Sequence, residues 1–540
     1  MRIALALLLL PGALWAQSAP VTYDRLLHAE AEPQNWLTYS GNYNSRRYST
    51  LAQIDRQNVN SLELKWVFQV ESLQKLETSP LVVNGVMYLT QPPNDVIALD
   101  ANSGRAFWVY QYRPAPGYKV CCGAVNRGLA ILGDTLYMGT VDAHLLAIDA
   151  KSGKPLWNVT VADYRASYAI TIAPLVIKDK VIIGVAGGEF GVRGFVAAYD
   201  AKSGREVWRF NTIPSEGQKG VETWDQDSWK HGGGPVWVTG SYDPELNLSY
   251  WGVGNPGPDW GPEQRAGDNL YTDSVVALDP DNGELKWYFQ FTPHDSSDFD
   301  SVQVPVLVNA DWNGRPRKLM AFANRNGFFY TLDRTNGEFL GGHAFVKLNW
   351  ASGLDANGRP IETPQPPGDP TFPGNQGGTN WYSPSYSPRT HLFYVSAWEN
   401  YSSILVFAPA EYRAGQSFTG GRAIPPLEGA TSPSVRSPIN TSTEIGSGAV
   451  VALDLTGKQR WKFDMTAVDD AGIMTTASDL LFTGGREGYF FALDARDGKM
   501  LWKTPVGGPV LAAPITYELK GRQYVAIAAG HAVFVYGLKH

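Results

Sequence analysis

One eleven-residue phrase, repeated along the chain, restricts the fold more than any other feature. It reads Ala, any residue, Asp, three variable residues, Gly, three variable residues, Trp. Full copies run from Ala98 to Trp108, Ala147 to Trp157, Ala198 to Trp208, Ala277 to Trp287 and Ala492 to Trp502. The copy from Ala452 to Trp461 is one residue short and that from Thr331 to Gly341 lacks the Trp, which makes seven. An Asp side chain can start a turn by bonding to backbone just ahead of it, and a Gly closes that turn. The aromatic then opens the next strand. Apolar runs such as Leu81-Val82-Val83 and Val181-Ile182-Ile183 precede the copies. Short strands recurring about every 40–55 residues indicate propeller blades.

The gap between the copies at Thr331 and Ala452 leaves room for one degenerate blade around Leu392 to Phe407, and seven plus one gives eight. Strands from Leu62 to Val70 and from Ala532 to Leu538 complete one blade together and close the ring. The expectation is an all-β, eight-bladed propeller with tryptophan docking repeats, in which the repeat Trp residues are structural. Two Pro/Gly-rich segments, Gly353 to Gly378 and Pro409 to Gly448, are too long for hairpin loops and are expected to cover one face.

Composition supports a folded chain. With 44% hydrophobic and 18% charged residues, the 540-residue protein is not a disordered scaffold. A net charge of −7 without any basic run argues against a nucleic-acid partner. Met1-Arg2, the aliphatic run Ile3 to Leu10 and the small-residue end at Ala16 have the form of a secretory signal peptide. Residues 1–16 are therefore expected to be removed, leaving 17–540 as one domain outside the cytoplasm. No segment is long enough to span a bilayer.

The two cysteines, Cys121 and Cys122, are neighbours. An oxidising compartment favours a disulfide between them, although it would close almost no loop and stabilise little. Two free thiols remain the alternative. There is no C-x-x-C-H, so no covalent c-type haem is expected. Off the repeat lie His231-Gly232-Gly233-Gly234-Pro235-Val236-Trp237, Gly254-Asn255-Pro256 and Asp298-Phe299-Asp300. If Asp298 to Asp300 is extended, both carboxylates point the same way. Such a pair binds a hard cation or is simply solvated. The residues alone leave that choice open.

Taken together, Cys121-Cys122 with Gly123-Ala124-Val125-Asn126-Arg127, Ala186-Gly187-Gly188-Glu189-Phe190-Gly191, Gly254-Asn255-Pro256, Asp298-x-Asp300 and Ala323-Asn324-Arg325-Asn326-Gly327 resemble the pyrroloquinoline quinone (PQQ) dependent alcohol dehydrogenases. The likeness runs from about Asn35 to the C-terminus. It implies an eight-bladed propeller with PQQ in a funnel near the axis. By the same resemblance, Glu189, Asn255, Asp298 and Asp300 are metal ligands, Asp298 is the catalytic base, and Arg325 bonds the reactive carbonyl side. Glu77, Arg127, Thr171 and Asn380 are implied at the polar rim of PQQ, with Gly187 and Gly188 in the turn beside it. Trp237 is the aromatic floor, and the Cys121–Cys122 ring covers the other face.

Asp300 resembles the lanthanide-dependent branch, so a lanthanide is favoured over calcium. The implied reaction is hydride transfer from an alcohol to metal-bound PQQ in the periplasm. It yields an aldehyde or ketone and passes electrons to a separate soluble cytochrome c; a homodimer is allowed. Ala186 and Pro235 depart from the Ser and Thr common in the family. Ser296-Ser297 is unlike the bulky pair of methanol enzymes. The alternatives are a quinoprotein acting on sugars or polyols and a non-catalytic propeller scaffold.

Overall fold

Asp100 ends the strand Asp95–Asp100 and accepts a hydrogen bond from Asn102 N at 2.9 Å. Gly104 then takes φ +71° and the strand Ala106–Tyr110 begins. The turn at Asp149 is built the same way. Glycine is required there for a second reason. A Cβ on Gly153 would stand 2.6 Å from the ring of Trp108, whose indole also donates to Ala150 O at 3.2 Å. The same two contacts join Trp208 to Gly283 and Pro280 O, Trp287 to Gly337 and Arg334 O, and Trp461 to Gly498 and Ala495 O. Trp66, outside the phrase, makes them with Gly104 and Ala101 O. Gly and Trp of the phrase are thus partners across successive sheets.

The computed structural model describes residues 19–424 and 446–539. Residues 1–16, expected to be a signal peptide, and most of the second Pro/Gly-rich segment lie outside them. Eight sheets each carry a four-stranded antiparallel meander, and the fold is an all-β propeller. Inner strands are apolar on both faces and buried; in His144–Asp149 only the ends reach solvent. Outer strands alternate, as in Pro155–Thr160. That pattern follows from stacking sheets face to face, with only the outer edge meeting water.

The strand Leu62–Gln69 pairs antiparallel with Ala532–Leu538, which joins the two ends of the chain in one sheet. The expected degenerate blade is not a separate unit. Leu392–Glu399 pairs with Ser447–Leu453, so it shares its sheet with the Ala452 copy. Ser403–Phe407 leaves that sheet and pairs with Pro370–Thr371 and Gly421–Ile424. A long insertion between two neighbouring strands hides their adjacency in the sequence. The eighth four-stranded sheet is the one formed by the joined ends.

Both Pro/Gly-rich segments reach the same group of residues. Gly378 N donates to Arg325 O at 2.9 Å, and Phe418 N donates to Glu189 O at 2.7 Å. Among the described residues no helix is long and apolar enough to cross a membrane.

Candidate active site

Two clusters form at loop ends. In the first, Arg127 is 4% exposed and pairs with Glu77 at 2.8 Å. Its Nη1 donates to Thr171 Oγ1 at 3.1 Å and to Trp237 O at 3.2 Å. The guanidinium lies 5.0 Å from the ring centroid of Trp237 and 4.8 Å from that of Trp381, a cation between two indole faces. Burial raises the pKa of Glu77 while the charge of Arg127 opposes the rise. Asn380 precedes Trp381 and accepts its N–H at 2.9 Å, so it stands next to this sandwich. Arg127 Nε has no acceptor.

The second cluster is acidic. Arg325, 4% exposed, donates from Nη2 to Asp298 Oδ2 at 2.9 Å and from Nη1 to Asp300 Oδ2 at 2.6 Å. Asp300 Oδ1 accepts from Asn255 N at 2.9 Å. That approach needs Gly254, whose Cβ would stand 2.1 Å from the same oxygen. Asn255 Nδ2 donates to Pro256 O at 3.2 Å, and its Oδ1 lies toward Gly188. Pro235 packs beneath both Gly188 and Gly254. Asp298 to Asp300 is not extended, contrary to the sequence expectation, because Asp298 has φ +60°. Asp295 folds this turn by accepting from Ser297 N at 2.9 Å and Phe299 N at 2.8 Å. The two carboxylates converge because one guanidinium fork holds both.

Glu189 sits in the short 3₁₀ turn Gly188–Phe190, entered through Gly187 at φ +119°. Cys121 and Cys122 form a disulfide, which settles the alternative of free thiols. A carboxylate oxygen of Glu189 and both sulfurs lie within 4.8 Å of one another. Burial, with Asp300 adding to it, pushes Glu189 up to about 7. Burial also pushes Asp298 well above the usual carboxylate range. Arg325 pulls it back, and Asp300 and Glu189 push it further up.

Sequence reasoning gave no role to four buried groups here: Asp259, Asp273, Asp295 and Arg265, which are 1%, 0%, 2% and 0% exposed. It also missed Trp381. None of these belongs to a repeat or a paired motif. Six acidic side chains, Glu189, Asp259, Asp273, Asp295, Asp298 and Asp300, therefore share one region with two guanidiniums, those of Arg265 and Arg325. Uncompensated carboxylates are costly inside a protein, and an all-oxygen donor set suits a hard cation.

The chain is similar throughout to known proteins. A profile described as glucose/ethanol/alcohol dehydrogenase β-propeller domain with PQQ matches residues 36–342. Another, for outer membrane protein assembly factor BamB, matches residues 446–535, a stretch that contains none of the site residues above. Quinohemoprotein alcohol dehydrogenase ADH IIB of Pseudomonas putida is 40% identical over 553 residues, covering 98% of this chain and 78% of that protein. Quinoprotein alcohol dehydrogenase PedH of Pseudomonas putida is 38% identical over 560 residues, covering 98% of this chain and 91% of its own. Among solved structures, a europium-containing methanol dehydrogenase superposes with a TM-score of 0.88 at 32% identity, covering 95% of this chain and 100% of that one. A quinohemoprotein alcohol dehydrogenase from Comamonas testosteroni superposes with 0.88 at 35% identity, covering 96% and 82%. The chain belongs to the PQQ-dependent alcohol dehydrogenases. It is an oxidoreductase of that class, and the scaffold alternative is set aside.

Proposed function

We propose that residues 17–540 form one eight-bladed, tryptophan-docked propeller domain that oxidises a small alcohol in the periplasm after loss of residues 1–16. The observation that carries the site is the convergence of Asp298, Asp300, Asn255 and Glu189 beside the buried Arg325 fork. The residues suit the cofactors on their own chemistry. Arg127, with an unused Nε and an indole on either side, suits a flat polycarboxylate such as PQQ. In this reading Glu77, Thr171, Gly187, Gly188 and Asn380 hold the polar rim of PQQ, with Trp237 on one face and the Cys121–Cys122 disulfide on the other. Glu189, Asn255, Asp298 and Asp300 offer oxygen donors to the metal. The concentration of carboxylates supports a lanthanide over calcium, as does the likeness to a europium-containing enzyme.

When bound, PQQ would supply the hydride acceptor and the metal ion would supply Lewis-acid polarisation of it. The chain's own part is the proton. Arg325 engages Asp298 Oδ2, which leaves Oδ1 to take the proton of the alcohol hydroxyl as general base. Arg325 keeps that carboxylate oriented, and buried side chains around it keep bulk water from competing. In this reading the electrons pass to a separate soluble cytochrome c.

The test is dye-linked alcohol oxidation by the mature protein reconstituted with PQQ, run in parallel with calcium and with a light lanthanide. Turnover is expected with the lanthanide, and Asp300→Ala is expected to lose it selectively. Turnover with calcium alone would discard the metal assignment. No turnover with either ion, together with no PQQ absorbance after desalting, would overturn the proposal.

A further inference from the structure

Asp259 stands apart from the other carboxylates of the site. It follows Asn255 by four residues and is 1% exposed, yet its Oδ1 has no hydrogen-bond partner. The guanidinium closest in sequence does not compensate it. Arg265 is itself fully buried and directs its donors elsewhere: Nε to Pro258 O at 3.0 Å, Nη1 to Asn269 Oδ1 at 2.9 Å, and Nη2 to Asp259 O at 3.0 Å and to Asp295 O. These bonds hold the main chain on both sides of Asp259. Trp260 N adds a bond to Thr419 O at 2.8 Å. The backbone is therefore pinned and one oxygen of the carboxylate is left without a partner.

Its surroundings tell which way it faces. The Asn255 amide lies against it, and the charges that act on it most are those of Asp298, Glu189 and Asp300. Asp273, the other carboxylate here with unpartnered oxygens, feels Asp295 and Asp300 most, then Arg265 and Asp298, and Glu189 is not among these neighbours. Asp259 thus lies close enough to Glu189 on one loop and Asp298 on another to feel both charges. A buried oxygen without a donor costs free energy unless a ligand uses it.

We propose that Asp259 is a fifth protein ligand of the metal ion, adding an anionic oxygen to those of Glu189, Asn255, Asp298 and Asp300, and that it biases the site toward trivalent ions. The proposal rests on the metal-site reading above. Each added carboxylate favours a trivalent over a divalent cation, because the Coulomb attraction scales with the ion's charge.

Europium(III) and calcium binding to the PQQ-loaded protein separate the two levels. Luminescence decay in H₂O and D₂O counts the waters on bound europium. Asp259→Ala is expected to add one coordinated water. Asp259→Asn, nearly isosteric and so least disturbing to the fold, is expected to weaken europium binding by about tenfold or more and calcium binding less. Unchanged europium affinity and water count in both variants, while Glu189→Gln loses the ion, would overturn the role of Asp259 and leave the metal site standing. Failure of the unmutated protein to bind either ion would overturn both.

Discussion

Arg325 holds Asp298 and Asp300 on one guanidinium, and in the proposed reaction that sharing gives the two carboxylates different work. Asp300 has both oxygens engaged, one by Arg325 and one by Asn255 N, so it is fixed in place. Asp298 has one oxygen free to receive a proton. Asp298→Asn keeps the shape and removes the basicity, so turnover should fall by about 100- to 10,000-fold, the usual contribution of a general base. PQQ absorbance after desalting should be retained. A variant with undiminished turnover would remove Asp298 as the base. At this scale the sequence exposes residues that come in patterns. Adjacent cysteines, a D-x-D pair and a glycine-rich turn around Glu189 are visible in it. Asp259 and Asp273 are single acidic residues among 52, and only burial marks them. The left-handed backbone at Asp298 was equally invisible, because it depends on the carboxylate of Asp295 capping the turn.

At the scale of elements, the repeated phrase exposes most of the sheets because its Asp, Gly and Trp each have a local or next-sheet duty. Two glycines separate those duties. Gly133 has φ +63° with nothing near its missing Cβ, whereas Gly153 has φ +71° and the Trp108 ring against it. Gly133→Ala should cost only the left-handed strain, about 1–2 kcal/mol. Gly153→Ala should cost about 1–3 kcal/mol more, because the Trp108 ring must move. Urea unfolding of the two variants measures the difference, and equal losses would show that the Trp–Gly contact contributes nothing. The short parallel pairing of Tyr48–Ser49 with Met474–Thr476 had no such signal. Neither did the separation of Ser403–Phe407 from Leu392–Glu399. Both depend on which distant strand is nearest after the ring has formed.

At the scale of the whole molecule, the chain ends meet in one sheet, and closure was legible because the first and last apolar runs each lack a complete set of partners. The strand Ala532–Leu538 lies between Leu62–Gln69 and Arg522–Ala529, bonded to both. Val533 and Val535 are fully buried and Tyr536 is 3% exposed. Burying such side chains stabilises by roughly 1.5–3 kcal/mol each, so their joint loss is of the order of the total stability of a domain, about 5–15 kcal/mol. Deletion also leaves Leu62–Gln69 and Arg522–Ala529 without the strand between them and opens the ring, so the deficit is not confined to one sheet. A chain ending at residue 531 should therefore lose the cooperative thermal transition of the full-length protein, and with it the retention of PQQ. The proposed site needs the closed ring, because Glu77, Arg127, Glu189, Asp298 and Asn380 come from loops of different sheets. Circular dichroism melting of the truncated and full-length chains decides the matter. A cooperative melt within a few degrees of the parent would mean that the ring holds without its closing strand.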